Sequence, residues 1–141
     1  MKLRFFEEAK KESYLSDYDG AHLGAVATFR DKYVIARAHN TYKTNPTQFH
    51  YNHFRMSNKG DILTKPARAH CEIQLYRQLR FLNVDPKDII VYIYRELKDG
   101  TMALAKPCVG CKKCLVTDFG IRTICWTDAD GYVEKRYKVK D

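Results

Sequence analysis

His70, Glu72, Cys108 and Cys111 are the residues whose types and spacing could do chemistry. They stand in Ala69-His70-Cys71-Glu72-Ile73 and, downstream, in Pro107-Cys108-Val109-Gly110-Cys111. One imidazole and two thiols are three ligands of the kind a zinc ion takes, and Glu72 is a carboxylate that need not bind the metal. Cys108 and Cys111 are three apart, so in the first turn of a helix their sulfurs share one face and can share one ion. A helix start also favours the thiolate, the form that binds metal. Three protein ligands leave a fourth tetrahedral position open to water, as in catalytic zinc sites, and zinc brings that water's pKa to about 7. Glu72 is about 200° round an ideal helix from His70, so the pair can serve one metal and its water only near a helix start. From there Glu72 can take the water's proton and hand it on. The competing arrangement is a closed Cys₃His site with Cys114, which continues the three-residue spacing, as fourth ligand. Cys71 and Cys125 read as small buried hydrophobes.

These residues need a scaffold. A chain of 141 residues, 45% hydrophobic and 30% charged, suits a single domain over 1–141 with a proper core. No apolar run approaches the ~20 residues of a membrane span. Residues 1–15 carry Glu7, Glu8 and Lys10 where a secretory leader would be apolar. The expected setting is therefore cytoplasmic, without a membrane partner and compatible with an oligomer. In a reducing compartment, Cys108, Cys111 and Cys114 read as metal ligands before they read as disulfides. The net charge of +8 attracts polyanions or phosphorylated small molecules.

Along the chain, residues 2–16 predict an amphipathic first helix, with Leu3, Phe6, Ala9 and Leu15 as its apolar positions. The runs 25–30 and 33–38 predict a hairpin around Asp31-Lys32. Asn40 follows at once, and Asn45-Pro46 marks a turn or extended loop. Residues 47–66 are irregular, and their aromatic and basic members make a candidate substrate rim. The strongest helix is 67–82, with Cys71, Leu75, Leu79 and Leu82 on one stripe. The run 89–94 reads as a central strand buried on both faces. Thr101 to Ala105 reads as a short returning strand. Pro107 should open a helix running to about Asp118 and ending at Gly120. The strands 121–127 and 132–139 are joined by so short a turn that they must be antiparallel.

The motif pair His-x-Glu and Pro-Cys-x-x-Cys is the signature of zinc deaminases. With Gly24-Ala25-Val26-Ala27 and Asn40, it makes residues 24–139 resemble the cytidine deaminase-like superfamily. Cys71 stands where that family usually has alanine, a small-for-small change. The resemblance implies a three-layer α/β/α fold on a five-stranded mixed sheet, and the antiparallel ending is similar to the branch acting on nucleosides. It implies His70, Cys108 and Cys111 as ligands of Zn²⁺ and Glu72 as proton shuttle. A zinc-bound hydroxide would attack C4 of cytosine, in hydrolytic deamination to uracil. By position, Asn40 matches an asparagine that contacts the substrate's sugar or base.

The expected substrate is a free cytosine nucleoside or nucleotide, for which a small pocket and a few basic residues suffice. The alternative is cytosine in single-stranded nucleic acid. The charge, ten tyrosines and the aromatic-basic segment from Phe49 to Arg55 favour it, because single strands are held by stacking surfaces interleaved with cations. Candidate substrate contacts are Asn40, Phe29, His50, Tyr51, His53 and Arg55. Adenosine in tRNA fits the antiparallel ending less well, and a non-catalytic zinc module binding nucleic acid has no need of Glu72.

Overall fold

The computed structural model describes residues 1–52, 54 and 69–138. Helix α1 (Leu3–Ser13) leads into strand β1 (His22–Phe29) and strand β2 (Tyr33–His39). The short helix α2 (Pro46–Asn52) and helix α3 (Cys71–Leu79) follow, then strand β3 (Ile89–Glu96). One turn of helix, α4 (Val109–Lys112), continues as a π-helical segment over Lys113–Phe119. Strands β4 (Thr123–Thr127) and β5 (Tyr132–Arg136) complete a five-stranded sheet ordered β2-β1-β3-β4-β5.

β1 is antiparallel to β2 and β3, β3 and β4 are parallel, and β4 and β5 are antiparallel. β2, β3 and β4 therefore run the same way, and α3 and α4 both begin beyond their carboxyl ends. That is the edge where open α/β sheets bind ligands. The central strand is as expected: Ile89, Val91, Tyr92, Ile93 and Tyr94 are all buried. Alternate residues feed two cores. Val91 and Ile93 pack with Leu75 and Leu79 of α3, while Tyr92 packs with Phe5 and Phe6 of α1. The result is the three-layer α/β/α arrangement with the antiparallel ending.

α1 buries Phe5, Phe6, Ala9 and Ser13, whereas Leu3 and Leu15 of the expected stripe are exposed. It seats very close to the sheet at Gly24, where a Cβ would lie 2.1 Å from the Ala9 carbonyl oxygen and 2.5 Å from the Ser13 nitrogen. The hairpin closes through Arg30 and Asp31, both with positive φ, at 50° and 60°. Residues other than glycine tolerate this because Asp31 is gripped: the Tyr92 hydroxyl donates to its carboxylate at 2.5 Å and Lys2 Nζ donates to its carbonyl at 2.6 Å.

Other expectations change as well: α3 ends at Leu79, leaving Leu82 of its expected stripe exposed. Asn45-Pro46 opens a helix, because the Asn45 carboxamide accepts from Thr47 N (2.8 Å) and Gln48 N (3.3 Å) and caps α2. Thr101 to Ala105 makes a single bridge, Met102 to Glu96, and no strand. Pro107 stops short of the helix, whose N-cap is Cys108. The stop at Gly120 is as expected: φ is 107°, and the amides of Gly120 and Ile121 both donate to the Leu115 carbonyl. Among the described residues, no helix is long and apolar enough to cross a membrane.

Candidate metal centre and active site

Two helix starts meet at the sheet edge. His70 is the N-cap residue of α3, extended at φ −74° and ψ 154°, and Cys108 is the N-cap of α4 at φ −68° and ψ 168°. Cys108 Sγ caps its own helix by accepting from the Cys111 amide at 3.4 Å, whereas the His70 side chain makes no cap bond to α3. His70 is fixed from behind by Gln48, whose fully buried carboxamide oxygen accepts from the His70 amide at 3.0 Å. Gln48 Nε2 in turn donates to Asn52 at 2.9 Å, so α2 serves as the backing of the imidazole.

His70 Nδ1 lies 3.4 Å from Cys111 Sγ and 3.7 Å from Cys108 Sγ, and the three ligand atoms are all within 4.8 Å of one another. Zinc–nitrogen and zinc–sulfur bonds of about 2.05 and 2.3 Å at the tetrahedral angle give an N···S edge of about 3.6 Å. The two observed separations bracket that value, so the imidazole stands at a tetrahedral ion's distance from both sulfurs. The hydrogen bond from the Cys111 thiol, with further help from His70, pulls the Cys108 thiol down to about 4. Cys111, the donor and fully buried, is pushed well above its ordinary range. Of the two thiols, Cys108 is the one whose surroundings favour the thiolate, the form that meets a cation.

Glu72 is 3% exposed and accepts a hydrogen bond from Cys71 Sγ at 2.9 Å. Cys71 itself is buried in the core beneath α3, which pushes its thiol up. His70, Glu72 and Cys108 line one cavity of about 440 Å³. Asn40 lines it too, but its carboxamide is engaged in the protein. Its Oδ1 accepts from Ser16 Oγ (2.6 Å) and Leu23 N (3.0 Å), and its Nδ2 donates to the Ala21 carbonyl (3.0 Å). Asn40 therefore secures the 16–23 segment, whose Tyr18, Gly20, Ala21 and Leu23 form a wall of the cavity.

The other anticipated contacts lie elsewhere. Phe29 is at the opposite end of β1 from Leu23, about 20 Å along the strand, and stacks on Tyr33. Tyr51 is buried behind the candidate ligands with Ile73, Cys111 and Cys114, and its hydroxyl donates to Asp118 at 2.6 Å. His50 is exposed on α2 with its ring against Tyr51 and Phe54, outside the cavity lining. His53 and Arg55 fall outside the described residues. Cys114 is not in the three-ligand group; its thiol, pushed up to about 12 by burial, packs with Tyr51. Cys125 is fully buried beneath α1. Sequence reasoning missed Gln48, which the Asn45-Pro46 cap could have placed on a helix, and the cavity residues Arg95 and Lys106.

No family model matches the sequence, and no curated protein matches it significantly. Among solved structures, the chain superposes on a cytidine deaminase from Burkholderia pseudomallei with a TM-score of 0.62. The match is 14% identical in sequence and covers 96% of this chain and 92% of that one. The chain has the cytidine deaminase-like fold. At so low an identity the similarity concerns the path of the backbone. Within the cytidine deaminase-like fold of this protein, the ligand group, the buried carboxylate and the cavity converge at the carboxyl edge of the sheet.

Proposed function

We propose that this protein is a zinc-dependent hydrolytic deaminase that converts cytosine to uracil in a free nucleoside or nucleotide. The observation that carries the reading is the cluster of His70 Nδ1, Cys108 and the buried Cys111, two of which line one cavity with the buried Glu72. A zinc ion held by these three residues would supply the Lewis acidity that makes water a nucleophile at neutral pH. Deamination joins a water oxygen to C4 of the base and breaks the C4–N bond, releasing ammonia. Glu72 is the group that moves the protons: it takes one from the attacking water, gives it to ring N3, and carries protons to the departing amine. Its burial beside the Cys71 thiol keeps the carboxylate out of bulk water, where proton transfer would lose direction. Gln48 and Asn40 act one layer out, holding His70 and the 16–23 wall.

Single-stranded nucleic acid is the second reading. What favours it are Phe54 and Phe81, exposed rings carrying Lys113 at 5.4 Å and Arg80 at 4.7 Å. The test is ammonia release from cytidine, dCMP and a cytosine-containing oligonucleotide at low and high salt, with zinc quantified in the same preparation. Turnover of the mononucleoside substrates with about one zinc per chain is expected. Turnover of the oligonucleotide alone, falling steeply with salt, would replace the first reading by the second.

A further inference from the structure

One wall of the cavity carries positive charge for which deamination itself has no use. On β3, Val91, Ile93 and Arg95 share a face; the first two are buried under α3, and Arg95 emerges into the cavity. Its register partner on β1 is Leu23, another lining residue. Arg95 Nη1 donates to the Leu104 carbonyl at 3.1 Å, which holds the guanidinium against the segment carrying Lys106. Arg95 Nε is buried and has no hydrogen-bond partner among the described residues. Neither Arg95 nor Lys106 forms an ion pair there either. Glu72 is the one acid lining the cavity among those residues.

Resting on the deaminase reading above, we infer that Arg95 and Lys106 form a phosphate subsite, so that the substrate is a cytosine nucleoside monophosphate. A guanidinium presents a fork of donors that matches phosphate oxygens, and an ammonium adds a movable point charge. A terminal phosphate with up to two negative charges suits two unpaired cations better than a singly charged diester does. A cavity of about 440 Å³ has the size of a site for one small ligand. A polynucleotide would have to leave that cavity in two directions.

The test uses the product pair, dUMP and deoxyuridine, titrated calorimetrically into zinc-loaded protein, so that binding is read without turnover. The phosphate is expected to tighten binding about 30-fold, and Arg95→Gln and Lys106→Gln are each expected to remove about tenfold of that. Arg95→Lys, which keeps the charge and loses the fork, should fall between wild type and Arg95→Gln. Lys135→Gln, on exposed β5, controls for overall charge and should keep the full preference. Equal binding of dUMP and deoxyuridine, or a preference that both cavity variants retain, would overturn the subsite. So would an oligonucleotide that binds more tightly than dUMP. Ammonia release from dCMP and deoxycytidine reports separately on the chemistry: none from either sinks the deaminase reading, while a phosphate preference in the titration still supports the subsite.

Discussion

Cys125 under α1 and Cys108 at the start of α4 are the same residue type in two regions of one small protein. Cys125 is fully buried between the sheet and α1, and burial pushes its thiol up to about 12. Cys108 is half-buried, and hydrogen bonds from Cys111 and His70 bring it down to about 4. Burial alone makes a cysteine an inert hydrophobe. A helix start and facing donors make it a candidate ligand. The two faces of the sheet divide the same way: the α1 face is an aromatic core that fixes the shape, and the other face ends in the candidate site.

The contrast can be broken from either side. Cys108→Ser should lose the metal and lower deamination by about 10³-fold, the equivalent of several kcal/mol of electrostatic stabilisation. Zinc analysis and ammonia release check it. Gly24→Ala acts on the α1 face, where the new methyl meets helix backbone that cannot give way. It should destabilise the fold by about 3 kcal/mol, read as a drop in Tm of roughly 10 °C. Tyr92→Phe removes a hydroxyl that donates to Asp31 and accepts from Lys2 N. Chemical denaturation should show a loss of about 1–2 kcal/mol, with zinc content unchanged.

The smallest effect sharpens the comparison most finely. In metal-free protein Cys108 is already thiolate well below neutrality, so lowering the pH from 8 to 6 does not reprotonate it. Its alkylation by iodoacetamide should change less than about twofold over that range, whereas an ordinary thiol near 8.5 slows by tens of fold. Cys125 should stay unmodified in the folded protein, and zinc should protect Cys108. Peptide mapping of the alkylated protein separates the two.

Much of the fold is legible in the sequence because its signals are local. The β-branched run at Ile89 to Tyr94, the Asp128-Ala129-Asp130-Gly131 turn and the Gly120 stop each rest on the chemistry of adjacent residues. The candidate ligands are legible because their spacing suits a helix start. Features created by long-range contact are not. Leu3 and Leu15 suit an apolar stripe, but the closeness of α1 to Gly24 turns Phe5 and Ser13 inward instead. Phe29 and Tyr51 are aromatic residues that do not face the cavity, since register sends one to the far end of β1 and the other packs behind Cys111 with its hydroxyl on Asp118. Arg95 closes a strand that is otherwise apolar, and only the two-residue alternation beyond Ile93 directs it into the cavity. Asn45-Pro46-Thr47-Gln48 did carry a local signal, an N-cap followed by proline at the first helical position. A turn reading of Asn-Pro competes with it, and the capping bonds decide.

The central claim is that the ligand cluster is a catalytic centre with Glu72 as its proton carrier. Glu72→Ala tests it most directly, with zinc content and ammonia release from dCMP measured on the same samples. The expected result is zinc bound as in the wild type and deamination reduced by about 10³-fold or more. Equal deamination by Glu72→Ala and the wild type would contradict it.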